Sequence, residues 1–93
     1  MRTIERTPKF RRDYRRESRG RHRSSLEASL AAVLVPLMND EPLAERFRDH
    51  PLSGEWAGFR DCHVKPDLVL IYEKPDEETL RLVRLGSHSE LGW

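Results

Sequence analysis

Three histidines crowd into the second half of the chain, within His50-Pro-Leu-Ser-Gly54, Arg60-Asp-Cys-His-Val-Lys-Pro-Asp67 and Gly86-Ser-His88. An imidazole titrates near neutrality, so these side chains can give and take protons at cellular pH. Asp67, Arg60 and Arg84 stand in or beside the same stretches. Together these residue types suit cleavage of an RNA phosphodiester without a metal. Internal attack needs a base for the 2′-hydroxyl proton and an acid for the departing 5′-oxygen. It also needs positive charge against the five-coordinate phosphorane. Asp67, at a turn, and His88, at a strand end, are available for the two proton transfers. Arg60 and Arg84 carry guanidinium forks that match phosphate oxygens. Arg84 and His88 are four apart and point to one side of a regular strand. His63 ends the strand before the turn that carries Asp67, which brings those two close.

Two other chemistries compete for the same residues. His50, His63 and His88 with Asp67 make an N₃O set of the kind zinc accepts, although neither His-Glu-x-x-His nor a paired Cys-x-x-Cys occurs. Cys62 adjoins His63, as in a Cys–His nucleophile pair. Neighbours on a strand point to opposite faces, however, so a buried structural thiol is the better reading. Turns and strand ends also carry such polar residues for no catalytic reason, and spacing alone does not separate the readings.

The elements that must position these residues follow from periodicity. Residues 2–6 alternate weakly about Ile4 and predict a short strand. Thr7-Pro8 reads as an N-cap and first-turn proline opening a helix to Arg19, with Gly20 as its stop. Ser24-x-x-Glu27 fits a capping box for a second helix. Its apolar face runs through Leu26, Leu30, Val33, Leu34, Leu37 and Met38, with Pro36 kinking or tightening the last turn. The two helices form a hairpin. A helical piece at Leu43–Phe47 precedes three strands, Ala57–Val64, Leu68–Lys74 and Thr79–Ser87. Leu68-Val-Leu-Ile-Tyr72 is uninterrupted, as in a central strand buried on both faces. Helices first and strands after predict an α+β fold of order β-α-α-β-β-β, an antiparallel sheet packed against an N-terminal helical hairpin.

Ninety-three residues predict one domain. The net charge of +1 hides a polarity: residues 1–30 hold ten Lys/Arg against four Asp/Glu, whereas residues 31–93 hold seven against twelve. A basic first third points to an anionic partner, either nucleic acid or an acidic protein segment. Arg11, Arg12, Arg15, Arg16 and Arg19 concentrate that charge on the first helix, where a phosphate-binding stripe and a solvated face are both available readings. Trp56, Phe59 and Tyr72 suit stacking on bases but equally suit a core, whereas the last residue, Trp93, is the better stacking candidate. A single cysteine excludes an internal disulfide and fits a reducing cytoplasm. The apolar run Leu30 to Met38 is about half of a membrane span. Met1-Arg-Thr-Ile-Glu5 lacks the apolar stretch of a secretory signal. A cytoplasmic protein with no membrane partner is expected.

Asp49-His-Pro-Leu-Ser-Gly54, Trp56, Gly58-Phe-Arg-Asp-Cys-His63, Pro66-Asp67, Leu70-Ile-Tyr72, Arg84 and Gly86-Ser-His88 together closely resemble the YafQ-like toxins of the RelE/ParE superfamily. The likeness is detailed from about residue 49 to 91; before that it rests on element order. It implies a RelE-like fold and a toxin of a type II toxin–antitoxin system that cuts mRNA in the ribosomal A site. It implies His50, His63, Asp67 and His88 as catalytic residues, Asp67 and His88 as the favoured proton-transfer pair, and Arg84 as a stabiliser of the transition state. Arg11, Arg12, Arg15, Arg16, Arg19, Arg60 and Trp93 would meet RNA or the ribosome. Expected partners are a cognate antitoxin, the 70S ribosome with mRNA, and operator DNA only through the antitoxin complex. No metal or organic cofactor is implied. Members place a Phe directly after the leucine corresponding to Leu91; here Gly92 holds that position and Trp93 follows. The competing reading is a ParE-like or degenerate module that acts by binding protein, an antitoxin or a gyrase-type target, and lacks catalysis.

Overall fold

Leu68 to Tyr72 are buried without exception, and the sheet is built around them. The computed structural model describes residues 1–92. In chain order its elements are β1 (Thr3–Arg6), α1 (Pro8–Glu17), α2 (Leu26–Met38), β2 (His50–Pro51), β3 (Arg60–Lys65), β4 (Leu68–Glu73), β5 (Thr79–Gly86) and α3 (His88–Leu91). Short 3₁₀ turns occupy Glu45–Phe47 and Gly54–Trp56. The strands lie in the order β1-β5-β4-β3-β2, so β4 is central, as its unbroken apolar run predicts.

The α+β class stands, with three corrections. The sheet is mixed rather than antiparallel, because β1 pairs parallel with β5 while the other neighbours are antiparallel. A parallel pair needs a crossover, and the helical hairpin with three intervening strands supplies it. The short strand β2 and the C-terminal helix α3 were not foreseen. Finally, β3 starts at Arg60 and not Ala57, because the chain before it turns: Gly58 takes φ 93° and Phe59 N–H bonds Trp56 O at 3.0 Å.

Helix boundaries follow capping chemistry. The Thr7 hydroxyl accepts the Phe10 N–H at 3.1 Å and donates to Leu82 O at 3.0 Å, so one side chain caps α1 and ties it to β5. Helix α1 ends at Glu17, two residues before the predicted end at Arg19, and Ser18 caps it. The expected box at Ser24 and Glu27 does not form. Ser25 is the N-cap, which makes Glu27 the second helical residue instead of the third, and the Ser25 hydroxyl accepts from Lys65 Nζ. A capping box does occur at Ser87 and Glu90, at the start of α3.

Phe10 of α1 and Leu26, Leu30, Val33 and Leu37 of α2 form the core with Cys62, Val64, Leu68, Leu70, Tyr72, Leu80, Leu82 and Leu85. Alternation along β3 sends Cys62 and Val64 to that helix-covered face and Asp61 and His63 to the other. Among the described residues no helix is long and apolar enough to cross a membrane.

Candidate active site

The sheet face opposite the core carries His50 and His63. His50 pairs opposite Asp61, Asp61 opposite Ile71, and Ile71 opposite Arg84, giving one row across four strands. His63 pairs opposite Val69, and Val69 opposite Gly86, giving the next row. Residues directly opposite share a face, so register alone puts His50, Asp61 and His63 together. His88 arrives differently. Strand β5 ends at Gly86, Ser87 caps α3, and His88 is the first helical residue. The strand argument linking Arg84 to His88 therefore fails, yet the turn lays the His88 ring 5.3 Å from that of His63, centroid to centroid. His50, His63, His88 and Asp61 line a cavity of about 300 Å³ with Leu52, Ser53 and Trp56.

The environment of His50 decides its tautomer. Its Nδ1 lies 2.8 Å from the Arg48 carbonyl oxygen and 3.0 Å from Asp61 Oδ1. Both neighbours are acceptors, so Nδ1 keeps the hydrogen and Nε2 carries the lone pair of the neutral ring. Arg48 closes the preceding 3₁₀ turn in the left-handed region at φ 49°, uncommon for a residue with a side chain. Asp61 is 1% exposed. Burial pushes its carboxyl above the ordinary carboxylate range, against the pull of His50, His63 and His88. No site role was expected of Asp61. The signal was its i, i+2 relation to His63, which gives both side chains one face of a strand.

Asp67 faces elsewhere. The β3–β4 turn carries it to the α1–α2 loop, where it pairs with Arg21 and its Oδ1 lies 3.2 Å from His22 Nε2. It lines a second cavity of about 350 Å³ with Arg16, Gly20, His22, Ser87 and Glu90. The expected proximity of Asp67 to His63 is thus replaced by a carboxylate held by two basic side chains. The two cavities adjoin where Ser87 lines one and His88 the other. Among the described residues no three His, Cys, Asp or Glu side chains are grouped to hold a metal ion.

The arginines divide. Arg11, Arg12, Arg15 and Arg19 are exposed. Arg16 is not a free surface charge: it bonds Asp13, Glu17 and the Leu85 carbonyl, and pairs with Glu90 at 3.0 Å. Arg84 gives Nε and Nη2 to Asp13, at 2.7 and 3.3 Å, and does not line the histidine cavity. Arg60 bonds Asp49 at 3.2 Å, and Asp49 also accepts from the buried Tyr72 hydroxyl, so Tyr72 is not free to stack. Trp56 stands edge-on to Phe59 at 5.5 Å and walls the histidine cavity. Trp93 lies outside the described residues. Cys62 is fully buried, and burial drives its thiol far above the usual range. The native protein is therefore expected to leave iodoacetamide unreacted at pH 8, whereas guanidinium-unfolded protein takes up one equivalent; rapid native labelling would contradict this placement.

Comparison with known proteins bears on this arrangement. A family model described as a bacterial toxin of type II toxin–antitoxin system, YafQ, matches residues 2–92. The mRNA interferase toxin YafQ of Escherichia coli strain B is 37% identical over 91 residues, covering 98% of this chain and 96% of that protein. A putative toxin YafQ of Haemophilus influenzae is 47% identical over 57 residues, 58% of this chain and 56% of its own length. The crystal structure of the E. coli DinJ-YafQ complex contains a chain that superposes with a TM-score of 0.81 at 36% identity, covering 98% of both.

Proposed function

This chain belongs to the YafQ family of bacterial type II toxin–antitoxin toxins, and we propose that it is an endoribonuclease that cuts mRNA on the ribosome. The observation that carries the reading is the cavity where three imidazoles converge around one buried carboxylate. His50, whose neutral ring is basic at Nε2, takes the 2′-hydroxyl proton. The 2′-oxygen then attacks phosphorus, the P–O5′ bond breaks, and protonated His88 supplies the proton that the 5′-oxygen needs. The products are a 2′,3′-cyclic phosphate and a 5′-hydroxyl. His63, beside His88, adds positive charge next to the phosphorane when protonated. Asp67, held by Arg21 and His22 in the adjoining cavity, moves no proton in this scheme. No step in this scheme requires a cofactor.

The exposed Arg11, Arg12, Arg15 and Arg19 on α1 suit rRNA phosphates. A cytoplasmic cognate antitoxin is the other partner. A groove of about 540 Å³ between α1 and α2, floored by Phe10, Leu30 and Leu82 and rimmed by Arg6, Arg11 and Arg15, suits an acidic amphipathic segment of it. Operator DNA is reached only through that complex.

Mapping mRNA 5′ ends in a reconstituted translation reaction tests the reading. Cuts at in-frame codons are expected with ribosomes and not without them. Intact mRNA during growth arrest would overturn it in favour of a protein-binding toxin.

A further inference from the structure

Asp61 is a buried titratable group that no step above consumes. Its neighbours are telling. Asp13, also buried, accepts from the Leu85 N–H and from Arg84, and so holds α1 to the end of β5. What surrounds Asp61 is instead the proton-transfer set: His50 from β2, His63 two residues along β3, and His88 from α3, with the like charge of Asp49 just before β2. Its cross-strand neighbour on the other side is Ile71, buried and apolar. An aliphatic residue at position 61 would pack against that side chain. A carboxylate there loses its hydration, and Oδ1, 3.0 Å from His50 Nδ1, has no well-aligned hydrogen-bond donor. Local consistency is broken in this way where function needs it.

Resting on the proposed nuclease reading, we infer that Asp61 is a positioning residue, which with the Arg48 carbonyl keeps the proton of His50 on Nδ1 and leaves Nε2 as the basic atom. The carboxylate also stabilises the imidazolium that forms once His50 has taken the substrate proton. It touches no reacting atom. It acts through His50, as an aspartate behind a catalytic histidine does in a hydrolase triad. The left-handed Arg48 supplies the hydrogen-bond acceptor at that nitrogen and Asp61 the charge beside it, so two independent elements, the 3₁₀ turn and β3, converge on one ring nitrogen.

The experiment is imidazole nitrogen NMR on wild type and Asp61→Asn, which keeps the shape and removes the charge. In wild type the neutral His50 ring is expected in the Nδ1–H form. In the Asn variant the Nε2–H form should gain population, because Nδ1–H loses the anionic oxygen beside it. Single-turnover cleavage should drop by up to roughly 10⁴-fold, the loss seen when the aspartate behind a triad histidine becomes asparagine. A folded Asn variant with an unchanged His50 tautomer would overturn the inference, and so would one as active as wild type. If the variant does not fold, the wild-type spectrum still decides, since a neutral His50 carrying its proton on Nε2 is incompatible with it. The NMR arm needs no RNA. A wild type that leaves ribosome-bound mRNA intact while His50 shows the tautomers described defeats the nuclease reading and spares the assignment of Asp61.

Discussion

His88→Ala is expected to lower single-turnover cleavage of ribosome-bound mRNA by about 10²–10⁴-fold, the range that a positioned proton donor contributes. His88 is exposed at the first position of α3, and the Ser87–Glu90 capping box that holds this short helix does not involve its ring. Thermal stability should therefore stay within about 0.5 kcal/mol of wild type, as for an ordinary surface substitution. The combination identifies chemistry and not folding: a large fall in rate with an unmoved melting curve. His50→Ala should behave alike, and the double variant should lose much less than the product of the two single effects, because the base and the acid serve one displacement. A His88→Ala protein that still cut at the wild-type rate would remove the histidine cavity from the mechanism.

The largest expected effect on stability comes from the contact between α1 and the end of β5. Asp13 is 3% exposed and accepts from Arg84 Nε at 2.7 Å and from the Leu85 N–H at 3.0 Å. Asp13→Ala leaves a guanidinium that is largely covered without its partner and a buried N–H without an acceptor. Breaking a buried pair by deleting one member costs about 3–5 kcal/mol, a large share of the stability of a chain this size. Urea unfolding should show the free energy of unfolding falling by that amount, through a lower midpoint with an unchanged slope. The result also bears on Arg84. A loss below about 1 kcal/mol would mean that the pair is not what holds α1 to β5, and that the guanidinium is spare for phosphate as the family resemblance implied. A full loss makes Arg84 a tie between elements.

The local features of the fold were legible residue by residue. Thr7-Pro8 opened a helix where capping chemistry required one, and the apolar spacing from Leu26 to Met38 yielded α2. The run Leu68 to Tyr72 found the centre of the sheet because five consecutive apolar side chains must be covered on both faces. Capping at Ser24 was misread by one residue, since the serine beside the helix start takes the cap and two serines stood together there. The parallel β1–β5 pair was hidden because a strand's own residues do not say which neighbour it meets.

The same division runs through the candidate site. Residue types alone identified imidazole proton transfer, and the order of the three short stretches identified the family, because those properties belong to the chain itself. Which groups share a cavity is a property of register and turns. Pairing His50 opposite Asp61 made a buried aspartate central, and the β3–β4 turn took Asp67 away to Arg21 and His22. Arg16 and Arg84 read as phosphate ligands until α1 packed beside β5 and set Asp13 between them. Charge on a sequence is indifferent to its partner. Only packing decides whether a guanidinium faces a carboxylate of its own chain or is left for someone else's phosphate.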